Sequence, residues 1–141
     1  MIGFFLSQRI NMIFSLSVTQ SPYSHQGSLA AYKFAKSALA KGHSIHRIFF
    51  YGGGVLNSNA LTTPPQDELN LYEAWKKLAS DFDIELIVCI ASALRRGILD
   101  ADEAMRYEKN ATNLHAPFIL SGLGQLLDAV IESDRVITFS N

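Results

Sequence analysis

The sequence predicts an α/β domain of three layers, α/β/α, on a mainly parallel sheet of about five strands. Three observations lead there. Short β-rich apolar runs alternate with segments of helical periodicity along the chain, the pattern of right-handed crossovers between parallel strands. The strand candidates are continuously apolar rather than alternating, as expected of strands covered on both faces. The chain has 141 residues, 48% of them hydrophobic and 18% charged, enough for one domain with its own core and too apolar for a disordered segment.

The elements follow in order. Met12–Val18 (MIFSLSV) reads as a buried strand, and Thr19–Gly27 (TQSPYSHQG) as a turn-rich loop. Ser28 is placed to cap a helix whose Ala31, Phe34, Ala35, Ala38 and Leu39 share one face. Gly42 sits where a helix-ending glycine belongs. Ser44–Tyr51 (SIHRIFFY) is the second strand, followed by Gly52–Gly54 and a polar loop to Pro64-Pro65. Gln66–Ser80 is expected to be helical, with Leu71, Trp75 and Leu78 in one stripe. Ile84–Cys89 is the third strand, and Ala91–Ile98 a short helix broken at Gly97. Asp100 is a plausible N-cap for a helix to Tyr107. Pro117–Leu120 forms a short strand, Gly122–Glu132 a helix and Arg135–Phe139 the last strand. One domain is expected over residues 12–141. Residues 1–11 are expected to be an extension, because Met12 opens a better strand than Met1 does.

Charge and cysteine content exclude several classes. A formal net charge of −1 gives no global attraction to nucleic acid or anionic lipid. Met1–Ala60 carries no acid, but its cations are scattered, so a fold that interleaves the two halves mixes the signs. One cysteine forms no internal disulfide and fits a reducing compartment. No stretch approaches a membrane span of about 20 apolar residues, and Met1–Leu6 lacks the basic leader of a secretory signal. The cytoplasm is therefore the expected location.

Ligands of open parallel sheets bind outside the carboxyl ends of the strands. That rule selects Thr19–Gly27, Gly52–Pro65 and the turn after Cys89. Cys89 ends its strand and leads into a helix whose free amides favour an anion, with Arg95 and Arg96 following. These features favour thiolate, the nucleophilic form. Free cysteine is also among the most buried residue types, so position alone leaves both a reactive and an inert thiol open. Arg95 and Arg96 read equally as a solvated or docking face. His25 is the best placed of four histidines to act as a base, being in a rim loop. His43 and His46 fall at the opposite sheet edge, and His115 in an unassigned segment. The dispersed histidines and single cysteine give no metal-ligand spacing. Gly52–Gly54 lacks the features of a phosphate loop; it reads as a flexible connection or a flap over Cys89.

The stretches Val88–Ala104 (VCIASALRRGILDADEA) and Phe118–Phe139 (FILSGLGQLLDAVIESDRVITF) resemble the DsrE family, in its TusD-like branch. The loop with Pro22, Tyr23 and Gln26, Gly42-His43, the strand end Phe49–Tyr51 and Val55–Leu78 agree, so the resemblance runs from about Met12 to Phe139. Gly52–Gly54 departs from it, since charged side chains are expected there in relatives. The resemblance implies a DsrE-like fold, flavodoxin-like in appearance, and a sulfurtransferase holding sulfane sulfur as a persulfide on Cys89. Arg95, Arg96, Tyr23, His25 and Gln26 would form its surroundings, with no cofactor and no metal. It implies TusB-like and TusC-like partner subunits in a heterohexamer, a TusA-like donor and a TusE-like acceptor. Sulfur would end in 2-thiolation of wobble uridine, without direct tRNA binding or membrane contact. A dissimilatory sulfur-oxidation subunit would use the same cysteine in the opposite direction. From other classes, a non-catalytic scaffold module with Cys89 inert and a small flavodoxin-like nucleotide binder remain as rivals.

Overall fold

The computed structural model describes residues 10–140. The opening apolar stretch Met1–Leu6 lies outside the described residues. Five strands form one sheet in the order β4-β3-β2-β1-β5: β1 (Ile13–Val18), β2 (Ser44–Phe50), β3 (Glu85–Cys89), β4 (Phe118–Ser121) and β5 (Arg135–Phe139). Every pairing is parallel. The chain steps outward from β1 to β4, then crosses back to lay β5 on the other side of β1. Helices α1 (Gly27–Ala40) and α2 (Leu71–Phe82) pack together on one face, and α5 (Gly124–Glu132) covers the other. Short helices α3 (Ile90–Arg95) and α4 (Ala101–Arg106) link β3 towards β4.

Local chemistry sets most boundaries. Gly42 takes φ +87° just beyond α1, and Gly97 takes φ +73° beyond α3, conformations an L side chain resists. Asp100 caps α4 by accepting the Glu103 amide at 2.9 Å, as its position predicts. Two expected helix starts shift. Helix α2 begins at Leu71 rather than Gln66, because Asn70 is the cap and accepts the Glu73 amide at 3.1 Å. Ser28 does not cap α1, which already starts at Gly27. Instead Gln20 Oε1 accepts the Gly27 amide at 3.2 Å, while the Ser28 hydroxyl donates to the Gln20 carbonyl at 2.7 Å.

The core lies mainly beneath α1 and α2. Trp75, Leu16, Val18, Ile48, Phe50, Leu86 and Val88 are fully buried. The Trp75 ring meets Tyr32 and Phe50 edge-on, at centroid distances of 5.4 and 5.5 Å, and Tyr72 stacks on Phe118 at 5.4 Å, geometries the aromatic quadrupole favours. The opposite face is built differently. Ser15 and Ser17 are buried in β1, and the buried Arg47 reaches from β2 to Glu85 Oε2 through Nε at 2.8 Å. Its Nη1 reaches Asp128 at 2.7 Å and the Gln125 carbonyl at 2.8 Å, tying α5 to the sheet. Burial alone would lower the Arg47 pKa; hydrogen bonds to Glu85 and Asp128 outweigh it and hold the guanidinium above its ordinary value. A cation of the acid-free first half is thus neutralised by acids of the second.

Candidate active site

Cys89 ends β3 and is the N-cap residue of α3, with extended backbone at φ −61° and ψ 118°. Two neighbours flank it in the sheet. Ser121 is its register partner in β4, and β2 runs on the other side, with Phe50 opposite Val88. The first amides of α3 have no carbonyl partner within the helix. The Cys89 side chain is 4% exposed and belongs to the core cluster. The rim position expected from the sequence therefore holds for the backbone, while the thiol lies just beneath the surface.

The cover on the β2 side is rigid. Gly52–Ser58 forms a 3-10 segment rather than a flap. A Cβ on Gly54 would stand 2.0 Å from the Val18 carbonyl oxygen, so only glycine lets the segment settle on the end of β1. Asn57, buried, locks it by donating to Ser28 Oγ at 3.0 Å and the Gly54 carbonyl at 2.8 Å while accepting from Trp75 Nε1 at 3.1 Å. The Gly52 amide donates to Ser92 Oγ at 3.0 Å, joining the segment to α3. On the other side Ser121 leads into Gly122-Leu123-Gly124, where a Cβ on either glycine would meet nothing within 4 Å.

The remaining candidates fall into two separate groups. Tyr23, His25 and Gln26 lie in the β1–α1 loop. The Tyr23 hydroxyl donates to the Leu69 carbonyl at 2.8 Å and accepts from the Leu71 amide at 3.0 Å, tying that loop to α2. His25 and Gln26 line a groove of about 530 Å³ with Gln20, Gly27, Thr138 and Ser140, at the crevice between β1 and β5. That crevice lies beyond β1, itself two strand spacings, about 10 Å, from β3, and Cys89 does not line it. The grooves lined by Tyr23, His25 and Gln26 do not include Cys89, and β2 stands between β1, which leads into their loop, and β3. The crevice is also where an open sheet binds nucleotides, yet Gln20 occupies the Gly27 amide that a phosphate would use.

Arg95 and Arg96 stand at the far end of α3, about 9 Å along a six-residue helix from the cysteine it starts at. Arg96 Nη1 donates to the Ser92 carbonyl at 3.1 Å, and both arginines are exposed. Helical spacing, not a contact, is what joins them to Cys89 in the sequence. His43 accepts the Met12 amide at Nδ1, 3.0 Å away, and meets Phe14 edge-on, a structural role at the other end of the sheet. Among the described residues no group of histidine, cysteine and acids could hold a metal. Sequence reading missed Ser92, Ser121 and Asn57. Ser92 alone carried a local signal, as the third residue of the helix after Cys89.

Comparison with known proteins gives consistent findings. The family model described as DsrE/DsrF-like matches residues 12–139. DsrE of Allochromatium vinosum, provisionally named a sulfurtransferase, is 51% identical over 130 residues, spanning 92% of this chain and 100% of that one. Sulfurtransferase TusD of Serratia proteamaculans is 48% identical over 126 residues, spanning 89% and 98%. A TusD homolog of Vibrio parahaemolyticus is 41% identical over 128 residues, spanning 91% and 98%. The crystal structure of the E. coli ychN protein aligns with a TM-score of 0.70 over 92% of this chain and 100% of that one; at 14% identity it speaks for the fold. Among the described residues no helix is long and apolar enough to cross a membrane.

Proposed function

Because this chain belongs to the DsrE/DsrF-like family, we propose that it is a sulfurtransferase subunit of a sulfur relay and that Cys89 carries the sulfur. The observation that carries this reading is the place of Cys89, the sole cysteine, at the carboxyl end of β3 and the start of α3, in a chain similar over nearly its whole length to proteins named sulfurtransferases. The chemistry is an exchange. The Cys89 thiol gives up its proton, and the thiolate attacks the outer sulfur of a donor persulfide. The donor S–S bond breaks, a new S–S bond forms on Cys89, and the donor leaves as a thiolate that takes a proton. No net oxidation occurs, and no cofactor is required. Passing the sulfur on repeats the step with Cys89 as the leaving thiolate. A lone cysteine suits this role, since no neighbouring thiol can collapse the persulfide into a disulfide, and a reducing compartment such as the cytoplasm fits it.

In the biosynthetic direction a TusA-like donor and a TusE-like acceptor would flank the chain, and the sulfur would end in the 2-thiolated wobble uridine of tRNA. TusB-like and TusC-like subunits would complete a heterohexamer. Supporting that assembly, α5 turns Leu127 (64% exposed), Val130 (53%) and Ile131 (71%) outward, continuing from Leu123 (56%), a coherent stripe of the kind that marks a protein interface. The oxidative direction uses the same residue, and the 51% identity to DsrE supports it as the 48% identity to TusD supports the biosynthetic one. The scaffold reading is favoured by the burial of Cys89.

One experiment orders these readings. Wild-type protein incubated with polysulfide should gain sulfur mass on Cys89, and Cys89→Ser should gain none while remaining folded and assembled. Alkylation of native Cys89 as slow as global unfolding, with no sulfur gained, would leave the scaffold reading standing. Transfer of the sulfur from loaded protein to a TusE-like acceptor would support the biosynthetic direction, and failure of that transfer the oxidative one.

A further inference from the structure

A groove of about 650 Å³ opens at the far end of α3, lined by Leu94, Arg95, Gly97, Leu99, Tyr107 and Lys109. No carboxylate lines it. Among the described residues, neither the Arg95 guanidinium nor the Lys109 ammonium has an ion pair or a hydrogen bond. Of the nearby acids, Asp100 caps α4 and Glu103 is buried with Arg106 Nη1 at 3.6 Å, while the exposed Asp102 and Glu108 lie outside the lining. The carbonyls at the end of α3 account for Arg96, which bonds Ser92, but not for Lys109, which enters from beyond α4. Leu94 and Leu99 are half-buried in the groove, with Tyr107 52% and the adjacent Met105 81% exposed at its edge. The frame is fixed in advance. Asn113 accepts the Leu99 amide at 2.9 Å and donates to the Gly97 carbonyl at 3.1 Å, holding the turn whose Gly97 is left-handed.

Two unpaired cations over an apolar floor suit a segment that offers carboxylates and apolar side chains together. A nucleic acid is a poorer fit, since two cations fall short of the roughly 6–10 phosphate contacts of a typical binder and Tyr107 is the only aromatic ring in the lining. The groove sits on the helix that begins at Cys89, so a partner held there has the thiol about 9 Å away along that helix.

We propose that the groove between Arg95, Tyr107 and Lys109 docks an acidic, apolar-tipped segment of a sulfur-carrier protein. That the partner is a carrier rests on the sulfurtransferase reading; that it is acidic rests on the groove itself. Complementary charge of this kind governs encounter and register, and weakens with salt.

The probe is a fluorescent peptide of alternating Asp, Glu and Leu, titrated against the full chain beside a counterpart with Lys for each acid and a single-stranded RNA oligonucleotide. The acidic peptide should bind, shifting amide resonances of residues 94–109, and about 300 mM salt should weaken it several-fold relative to about 50 mM. Arg95→Glu with Lys109→Glu should weaken it about tenfold or more, and Arg95→Lys should largely preserve it. Equal binding of both peptides, preferred binding of the RNA, resonance shifts elsewhere, or charge reversal without effect would each overturn the proposal. Polysulfide loading of Cys89 is measured on wild type in parallel. If wild type itself fails to load, the sulfurtransferase reading falls while the peptide result still decides the groove.

Discussion

The two faces of the sheet are finished in different ways. Under α1 and α2 the chain closes its own core: Trp75 is fully buried, with Tyr32 and Phe50 edge-on to it, and even its indole N–H is met by Asn57. Under α5 the sheet contributes Phe49 and Ile87 beside the small hydroxyls of Ser15 and Ser17, and the helix is fastened by Arg47. That helix then turns apolar side chains outward. One face supplies stability within the chain, while the other ends in a surface that water does not favour.

The comparison is broken most forcefully at Trp75. Trp75→Ala removes the largest fully buried side chain and leaves Asn57 Oδ1 without its donor. A loss of about 3–5 kcal/mol is expected from the cavity, with a further contribution from the stranded amide. Urea unfolding followed by far-UV circular dichroism should show the midpoint fall sharply. The 3-10 segment should loosen with it, seen as faster hydrogen exchange at residues 54–58. A loss below about 1 kcal/mol would mean that this face does not hold the fold.

On the second face, Arg47→Ala tests the electrostatic fastening. Removing a buried member of an ion network costs about 3–5 kcal/mol when its partners stay buried. Here the Glu85 and Asp128 side chains are 51% and 48% exposed and regain water, so about 2 kcal/mol is expected. The loss should concentrate in α5, with hydrogen exchange over residues 124–132 rising more than in α1. Exchange rising equally in both helices would show Arg47 to be part of the common core instead.

The sequence made local features legible and missed contacts between distant segments. The element order, the Asp100 cap and the Gly42 and Gly97 stops depend on neighbours within a turn, and they stand where the pattern put them. The place of Cys89 at a strand end was equally local. Its burial was not, since it depends on β2, β4 and α3 together. Gly52–Gly54 read as flexible because glycine alone says nothing of what lies opposite; the Val18 carbonyl makes the segment rigid. His25 follows β1 and Cys89 ends β3, both at the carboxyl edge, but the sheet order sets those strands two places apart. Arg47 is one of the scattered cations of Met1–Ala60, and its partners lie 38 and 81 residues away, beyond the reach of any local pattern.

The smallest expected effect on stability is the one that separates the faces most clearly. Leu127→Asp with Ile131→Asp places two charges on the outward stripe of α5, where the native side chains are 64% and 71% exposed. Substitutions at such positions change the stability of a lone chain by about 0.5 kcal/mol or less each. The unfolding midpoint should therefore barely move. An interface is a different matter, since burying an unpaired carboxylate costs several kcal/mol. If the proposed heterohexamer forms, wild type co-expressed with TusB-like and TusC-like subunits should elute in the complex in size-exclusion chromatography with light scattering, and the double variant as a free chain. If the variant assembles normally, the stripe is not the interface and the thin face must be accounted for another way. If the midpoint falls as far as in Trp75→Ala, the two faces share one core, and the difference between them is one of appearance.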